Sequence, residues 1–119
     1  MDEYSIERLT DRVLLRDLVS LDSRDRRNAA LLLSRIAGVD GRKLYVAAGY
    51  SSMIRYCIGE LNHSEDVASK RIWAARTARR FPVIFHAIAE GRLNVTGVYL
   101  LARHLTPENA DEKDSKTAA

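Results

Sequence analysis

Apolar residues recur every three or four positions along most of the chain, which is the spacing of one face of an α-helix. No stretch alternates apolar and polar residues for long enough to indicate a β-strand. The pattern predicts a first helix over Ile6–Ser20. A turn follows, and Ser23 is predicted to cap a second helix that ends at Gly49, because serine is a good N-cap and glycine ends helices well.

Four further helices are predicted over about 51–61, 64–80, 83–90 and 95–104. Together these elements predict an all-α fold, a compact bundle of about five to six helices. We expect one helical domain over residues 1–110 and a frayed polar tail at 111–119. The residues predicted to begin the four later helices are Ser51 or Ser52, Ser64, Pro82 and Asn94.

The composition is that of an ordinary globular protein, with 46% hydrophobic and 29% charged residues. No apolar run approaches the roughly 18 residues that a membrane helix needs, so we expect no membrane association. The single cysteine, Cys57, cannot form an internal disulfide, and we therefore expect a reduced, cytoplasmic setting.

Positive charge is concentrated in the middle of the chain although the net charge is only +3. Residues 31–107 carry eleven Arg or Lys against five Asp or Glu, and the stretch from Val67 to Ala89 has five basic residues and no acid. Such a cluster suits phosphate contacts, because neutralising phosphates releases condensed counterions. The sequence therefore indicates double-stranded DNA as a partner.

Residues 51–80 have the layout of a helix-turn-helix, in which the second helix enters the major groove. The recognition helix would be about Ser64–Arg80. The same arginines could instead simply be solvent-exposed residues of a helix with no role in binding. Glu65 and Asp66 also count against DNA binding, because they would lie near phosphates and repel them. The candidate DNA-binding residues are Ser52, Ser64, Ser69, Lys70, Arg76 and Arg80.

Four motifs follow one another along the chain: Gly49-Tyr50-Ser51-Ser52, Ala78-Arg79-Arg80-Phe81-Pro82, Ile88-Ala89-Glu90-Gly91-Arg92-Leu93 and Leu100-Leu101-Ala102-Arg103-His104-Leu105-Thr106-Pro107-Glu108-Asn109-Ala110. Over about residues 28–112, this series resembles the bacterial helical region that lies N-terminal to HNH endonuclease domains. A looser resemblance, from Tyr50 to Leu105, is to the helix-turn-helix of ParB-like partition proteins. That resemblance implies that the helix matching Ser64–Arg80 reads DNA.

The resemblance to HNH proteins does not imply nuclease activity here. In that family a metal site with paired histidines and an asparagine follows the helical region, whereas this sequence stops at Ala119. We therefore expect a stand-alone relative or a truncated accessory domain, without the catalytic module.

No residue pattern indicates catalysis, a metal site or a cofactor. His63, His86 and His104 fall in three separate elements and lack the spacing of metal ligands. Cys57 is predicted to be a buried structural thiol. Trp73 is predicted to pack against a neighbouring helix rather than to stack on a base.

The sequence thus favours a non-catalytic DNA-binding module, which requires Lys70, Arg76 and Arg80 to be exposed on one continuous surface. The alternative is a protein-interaction or dimerisation domain, with a homodimer formed through the N-terminal helices. That alternative requires an exposed apolar patch on the first two helices.

Overall fold

The computed structural model describes residues 3–101, and every regular element in this range is helical. The helices are α1 (Asp11–Gly41), α2 (Leu44–Ala47), α3 (Met53–Leu61), α4 (Glu65–Arg80), α5 (Val83–Ala89) and α6 (Val95–Leu101). The predicted all-α fold with about six helices is confirmed for this range. The predictions for His104 and for the tail at 111–119 lie outside the described residues. Within residues 3–101, no helix combines the length and the apolar character needed to cross a bilayer.

Helix α1 is a single helix of 31 residues, so the predicted turn before Ser23 is wrong. The helix begins at Thr10, whose side-chain Oγ1 accepts a hydrogen bond from the Val13 backbone N–H at 3.2 Å. No glycine or proline lies between Asp11 and Ala37 to interrupt the backbone hydrogen bonds. An ion pair between Asp22 and Arg26, one turn apart, further supports the helix where the break was expected.

The predicted second helix also ends earlier than expected, at Gly41 rather than Gly49. Lys43 adopts a left-handed backbone conformation with φ of 54°, which reverses the chain direction. The last part of the predicted second helix is instead the separate four-residue α2, followed by Gly49 with φ of 96°.

Local capping chemistry sets the starts of the later helices as predicted. The Ser52 and Ser64 hydroxyls each accept a hydrogen bond from the backbone N–H three residues on, both at 3.2 Å. Asn94 Oδ1 accepts from the Gly97 N–H at 2.7 Å. Pro82 immediately precedes α5. These caps satisfy backbone donors that the first turn of a helix leaves unpaired.

Helix α4 runs through the centre of the described structure and contacts α1, α3, α5 and α6. Its predicted apolar stripe is buried: Ala68, Ile72, Ala75 and Ala78 are all 5% exposed or less. Three of these four residues are alanines, and such small side chains let the neighbouring helices approach closely. Leu33 and Ile36 of α1 complete this core, and burying each contributes roughly 1.5–3 kcal/mol.

Candidate nucleic-acid interface

The predicted pair of helices at 51–80 is present as α3 and α4, which residues 62–64 connect. Asn62 ends α3 in a left-handed conformation, with φ of 56°, and the His63 N–H donates to the Cys57 carbonyl at 3.2 Å. Ser64 then caps α4. The two helices and their short connection are present, and both the helix-turn-helix and the DNA-binding role of the pair stay predictions.

One face of α4 is partly exposed at Ser69 and exposed from Trp73 to the end of the helix. Ser69, Trp73, Arg76 and Arg80 lie on it at intervals of four, three and four residues, which keeps them on one side of the helix. Trp73 is 52% exposed, so about half of its side chain is covered and the rest faces solvent. It lines a shallow groove of about 220 Å³ between α4 and the start of α3, together with Ser52, Ser69 and Arg76.

Lys70 does not join the arginines of this face. It lies at the first turns of α4, where its Nζ is 3.2 Å from the carboxylate of Asp66. With 100° of rotation per residue, Lys70 is turned about 80° away from Arg80 and about 120° from Arg76. The continuous surface of Lys70, Arg76 and Arg80 that the sequence called for is therefore not formed.

Arg76 is held by an acid from α1. Its Nε donates to Asp40 Oδ2 at 2.9 Å and its Nη2 donates to Asp40 Oδ1 at 3.0 Å. The Asp40 side chain is only 10% exposed, whereas that of Arg76 is 52% exposed. The hydrogen bond to Asp40 raises the pKa of Arg76 although partial burial opposes this. Arg76 therefore links α4 to α1, a role that the sequence did not suggest.

Replacing Arg76 with alanine is expected to lower the free energy of unfolding by about 1–2 kcal/mol, because the nearly buried Asp40 side chain would lose both of its hydrogen bonds. The matched control is Arg16→Ala, which removes an exposed arginine of α1 and should change stability by less than about 0.5 kcal/mol. Urea denaturation of both variants measures the difference. Equal stability of the two variants would show that the Arg76–Asp40 pair contributes nothing to the fold.

A second group of basic residues lies at or just beyond the C-terminal ends of α1 and α4, and we call it the basic end: Arg42, Lys43, Arg79 and Arg80. The Arg79 guanidinium lies directly against the Cα of Gly41. Arg42 and Arg79 line the same shallow cleft of about 410 Å³. The guanidinium carbon of Arg80 is 5.3 Å from the centre of the Phe81 ring, close enough for a cation–π contact. None of the four forms an ion pair within residues 3–101.

Sequence reasoning chose Arg80 as a candidate site residue and counted Arg79 only within the basic stretch from Val67 to Ala89, and it missed Arg42 and Lys43. The four residues fall in two clusters, at positions 42–43 and 79–80, and neither cluster alone is unusual. Gly41 could have indicated that a side chain from another helix lies close to the end of α1, because a helix end without a side chain leaves room for a guanidinium.

His63 and Cys57 have structural surroundings rather than catalytic ones. Arg71 Nη1 donates to His63 Nε2 at 2.9 Å, and burial together with the Arg71 charge lowers the pKa of His63, so the imidazole is neutral at pH 7. Cys57 is 0% exposed, as predicted for a structural thiol, and burial raises its pKa. No three His, Cys, Asp or Glu side chains converge in the described part of the chain.

No family model, curated protein or solved structure matches this chain. The resemblances to the helical region of HNH proteins and to ParB-like proteins therefore stay predictions from the sequence motifs.

Proposed function

We propose that this protein is a non-catalytic module that binds duplex DNA mainly through its phosphates, using the exposed face of α4 and the basic end. The observation that carries the proposal is the cleft where α1 meets α4, which Arg42 and Arg79 line and which Lys43 and Arg80 adjoin in sequence. None of these four basic residues has an acidic partner in the described residues. Phosphate neutralisation by such a set supplies most of the affinity of sequence-independent DNA binding.

The charge distribution along α4 favours an approach by its C-terminal half. Glu65 and Asp66 occupy the first turn, where they suit the helix dipole but repel phosphate. Arg79 and Arg80 occupy the last turn. A helix whose first turn is acidic gains most from phosphate contacts at its other end, which is where the basic end lies.

The surroundings of each candidate residue determine which contact with DNA we assign to it. Arg80 and the other members of the basic end contact phosphates. Ser69 and Trp73 face the groove beside α3 and would meet a sugar or a base edge there. Ser52 and Ser64 can each donate a hydroxyl proton to phosphate, because their oxygens act as acceptors in the caps. Lys70 and Arg76 contribute less, because each already pairs with an acid.

The proposal assigns no reaction to this module. The described histidines do not converge with acids, and its thiol is enclosed. We expect binding without cleavage, and plasmid DNA should stay intact with magnesium, manganese or zinc.

The test is a binding titration of a fluorescent 30-base-pair duplex at low salt with the double variant Arg79→Ala/Arg80→Ala. Losing two phosphate contacts should weaken binding about tenfold, or about 1.4 kcal/mol. The matched control is Arg16→Ala/Arg27→Ala, which removes the same charge from exposed positions on α1. Equal weakening by both variants would show a response to net charge alone. Absence of binding by the unaltered protein at low salt would contradict the proposal altogether.

A further inference from the structure

The first five turns of α1 carry aliphatic side chains that nothing in the described structure covers. Leu15, Leu18 and Val19 are 66%, 64% and 71% exposed, and Leu14 and Leu21 are also exposed. From residue 3 to residue 29 no residue is buried, and Ala30 is the first that is. Single exposed leucines are ordinary on protein surfaces, but five within eight residues of one helix form a patch.

This patch lies on the same side of α1 as the part of the helix that forms the core. Eighteen residues make five full turns of an α-helix, so residues that far apart point in the same direction. Leu15, Leu18 and Val19 precede three core residues by that interval: Leu33, Ile36 and Ala37. The face that α4 and α5 cover in the second half of α1 therefore continues uncovered in the first half.

The uncovered half is long. With a rise of about 1.5 Å per residue, α1 measures about 46 Å, which matches the longest dimension of 48 Å. The radius of gyration is 17.0 Å, against about 13 Å for a compact chain of this size. Isolated helices of 12–15 residues are marginal in water, so this half of α1 gains stability from a partner that covers its apolar face.

We propose that a second copy of this chain covers the patch, with the two α1 helices antiparallel and a two-fold axis near Asp17 and Leu18. In this register Leu15 faces Val19 of the second copy, Leu14 faces its Leu21, and the two Leu18 side chains meet near the axis. Such an interface is self-complementary, as a two-fold dimer requires.

The charges beside the patch fit this arrangement. Arg12 faces Asp22 of the second copy, twice by symmetry. A parallel pair would instead place Arg12 beside Arg12 and Asp22 beside Asp22. Asp22 already pairs with Arg26 of its own helix, but that pair is exposed and contributes little.

The area and the net charge of the surface also favour a second copy over another partner. Residues 11–27 carry four Asp and five Arg, so the surface is almost neutral and matches itself better than a strongly acidic or basic partner. The five aliphatic side chains are between 38% and 71% exposed. Covering them completely on two copies would bury roughly 1,000 Å², which is the lower limit for a specific interface.

The first experiment measures the mass of the full chain in solution by analytical ultracentrifugation between about 1 and 200 µM. We expect a concentration-dependent dimer. Leu18→Glu should weaken it by about 100-fold or more, because it places two carboxylates near the axis. The matched control is Leu31→Glu, a leucine of the same helix that is 50% exposed and lies on a different face. This variant should dimerise like the unaltered protein.

Two outcomes would overturn the proposal. A protein that stays monomeric at every concentration would overturn it. In that case, a lower melting temperature of Leu18→Glu would indicate that another segment of the same chain covers the patch, and an unchanged one would indicate that nothing covers it. Equal dimerisation of Leu18→Glu and the unaltered protein would overturn the proposal as well. Neither outcome depends on DNA, so failure here is distinct from failure of the proposed function.

Cysteine cross-linking tests the antiparallel register. Leu18→Cys should form a disulfide between copies, because residues at the axis are adjacent. Ser23→Cys should not, because its two copies lie about 16 Å apart along the helix axis. The natural Cys57 is buried and should not interfere. Efficient cross-linking at both positions would indicate a parallel pair and overturn the antiparallel arrangement.

Discussion

Cys57 is expected to react with a thiol reagent at least about 10³-fold more slowly in the native protein than in the unfolded chain. The side chain is 0% exposed beneath α4, so a reagent reaches the sulfur only when the structure opens. Burial also raises the pKa of the thiol, which lowers the fraction of reactive thiolate at pH 8. Both effects act in the same direction, which makes the expected protection large.

The measurement is the rate of labelling by iodoacetamide at pH 8 with increasing urea, and it reports on one site because the chain has a single cysteine. The control is Ser51→Cys in a Cys57→Ala background, which places a thiol at an exposed position close by in the sequence. This control should react almost as fast in the native state as in the unfolded state. Rapid labelling of Cys57 in the native protein would instead show an accessible thiol and reopen the question of a nucleophile.

The starts of α3 and α4 could be predicted because the chemistry that sets them is local. Ser52 and Ser64 each bond to a backbone N–H three residues away, so the whole interaction is contained in a short stretch of sequence. The buried stripe of α4 was predictable for a similar reason, since the helical period alone groups Ala68, Ile72 and Ala75 on one side.

The continuity of α1 was not predicted, because the same residues suit two local structures. Ser20, Asp22 and Ser23 are good turn and cap residues, but none of them prevents a helix as glycine or proline does. The Asp22–Arg26 pair forms only once the helix is in place. It therefore stabilises the continuous helix but could not be used to predict it. A break needs a residue that interrupts the helix, and this stretch has none.

The surroundings of the candidate site depend on contacts between distant residues, and for that reason sequence patterns did not find them. Asp40 and Arg76 are 36 positions apart, and only the packing of α4 on α1 brings them together. The same packing places Arg79 on Gly41. The sequence thus placed the candidate nucleic-acid interface on α4 but could not tell which of its basic residues already had partners.

The affinity for duplex DNA is expected to fall about 150-fold when the salt concentration rises from about 50 to 200 mM. If the basic end makes four phosphate contacts, as proposed, and each releases about 0.9 counterion from B-DNA, the log–log slope is near −3.6. Arg79→Ala/Arg80→Ala should reduce the steepness by about 1.8, to a slope near −1.8, because two of the four contacts are removed.

The slopes separate contact at the basic end from a general response to charge. Arg16→Ala/Arg27→Ala lowers the net charge by the same amount and should keep the slope near −3.6, since those arginines lie on α1 away from α4. Arg76→Ala should also change the slope little, because its guanidinium is committed to Asp40. A steep slope that persists in Arg79→Ala/Arg80→Ala would place the phosphate contacts elsewhere on the molecule. Loss of slope in Arg76→Ala would show that the Arg76–Asp40 pair opens on DNA, and Arg76 would then belong with the phosphate-binding residues.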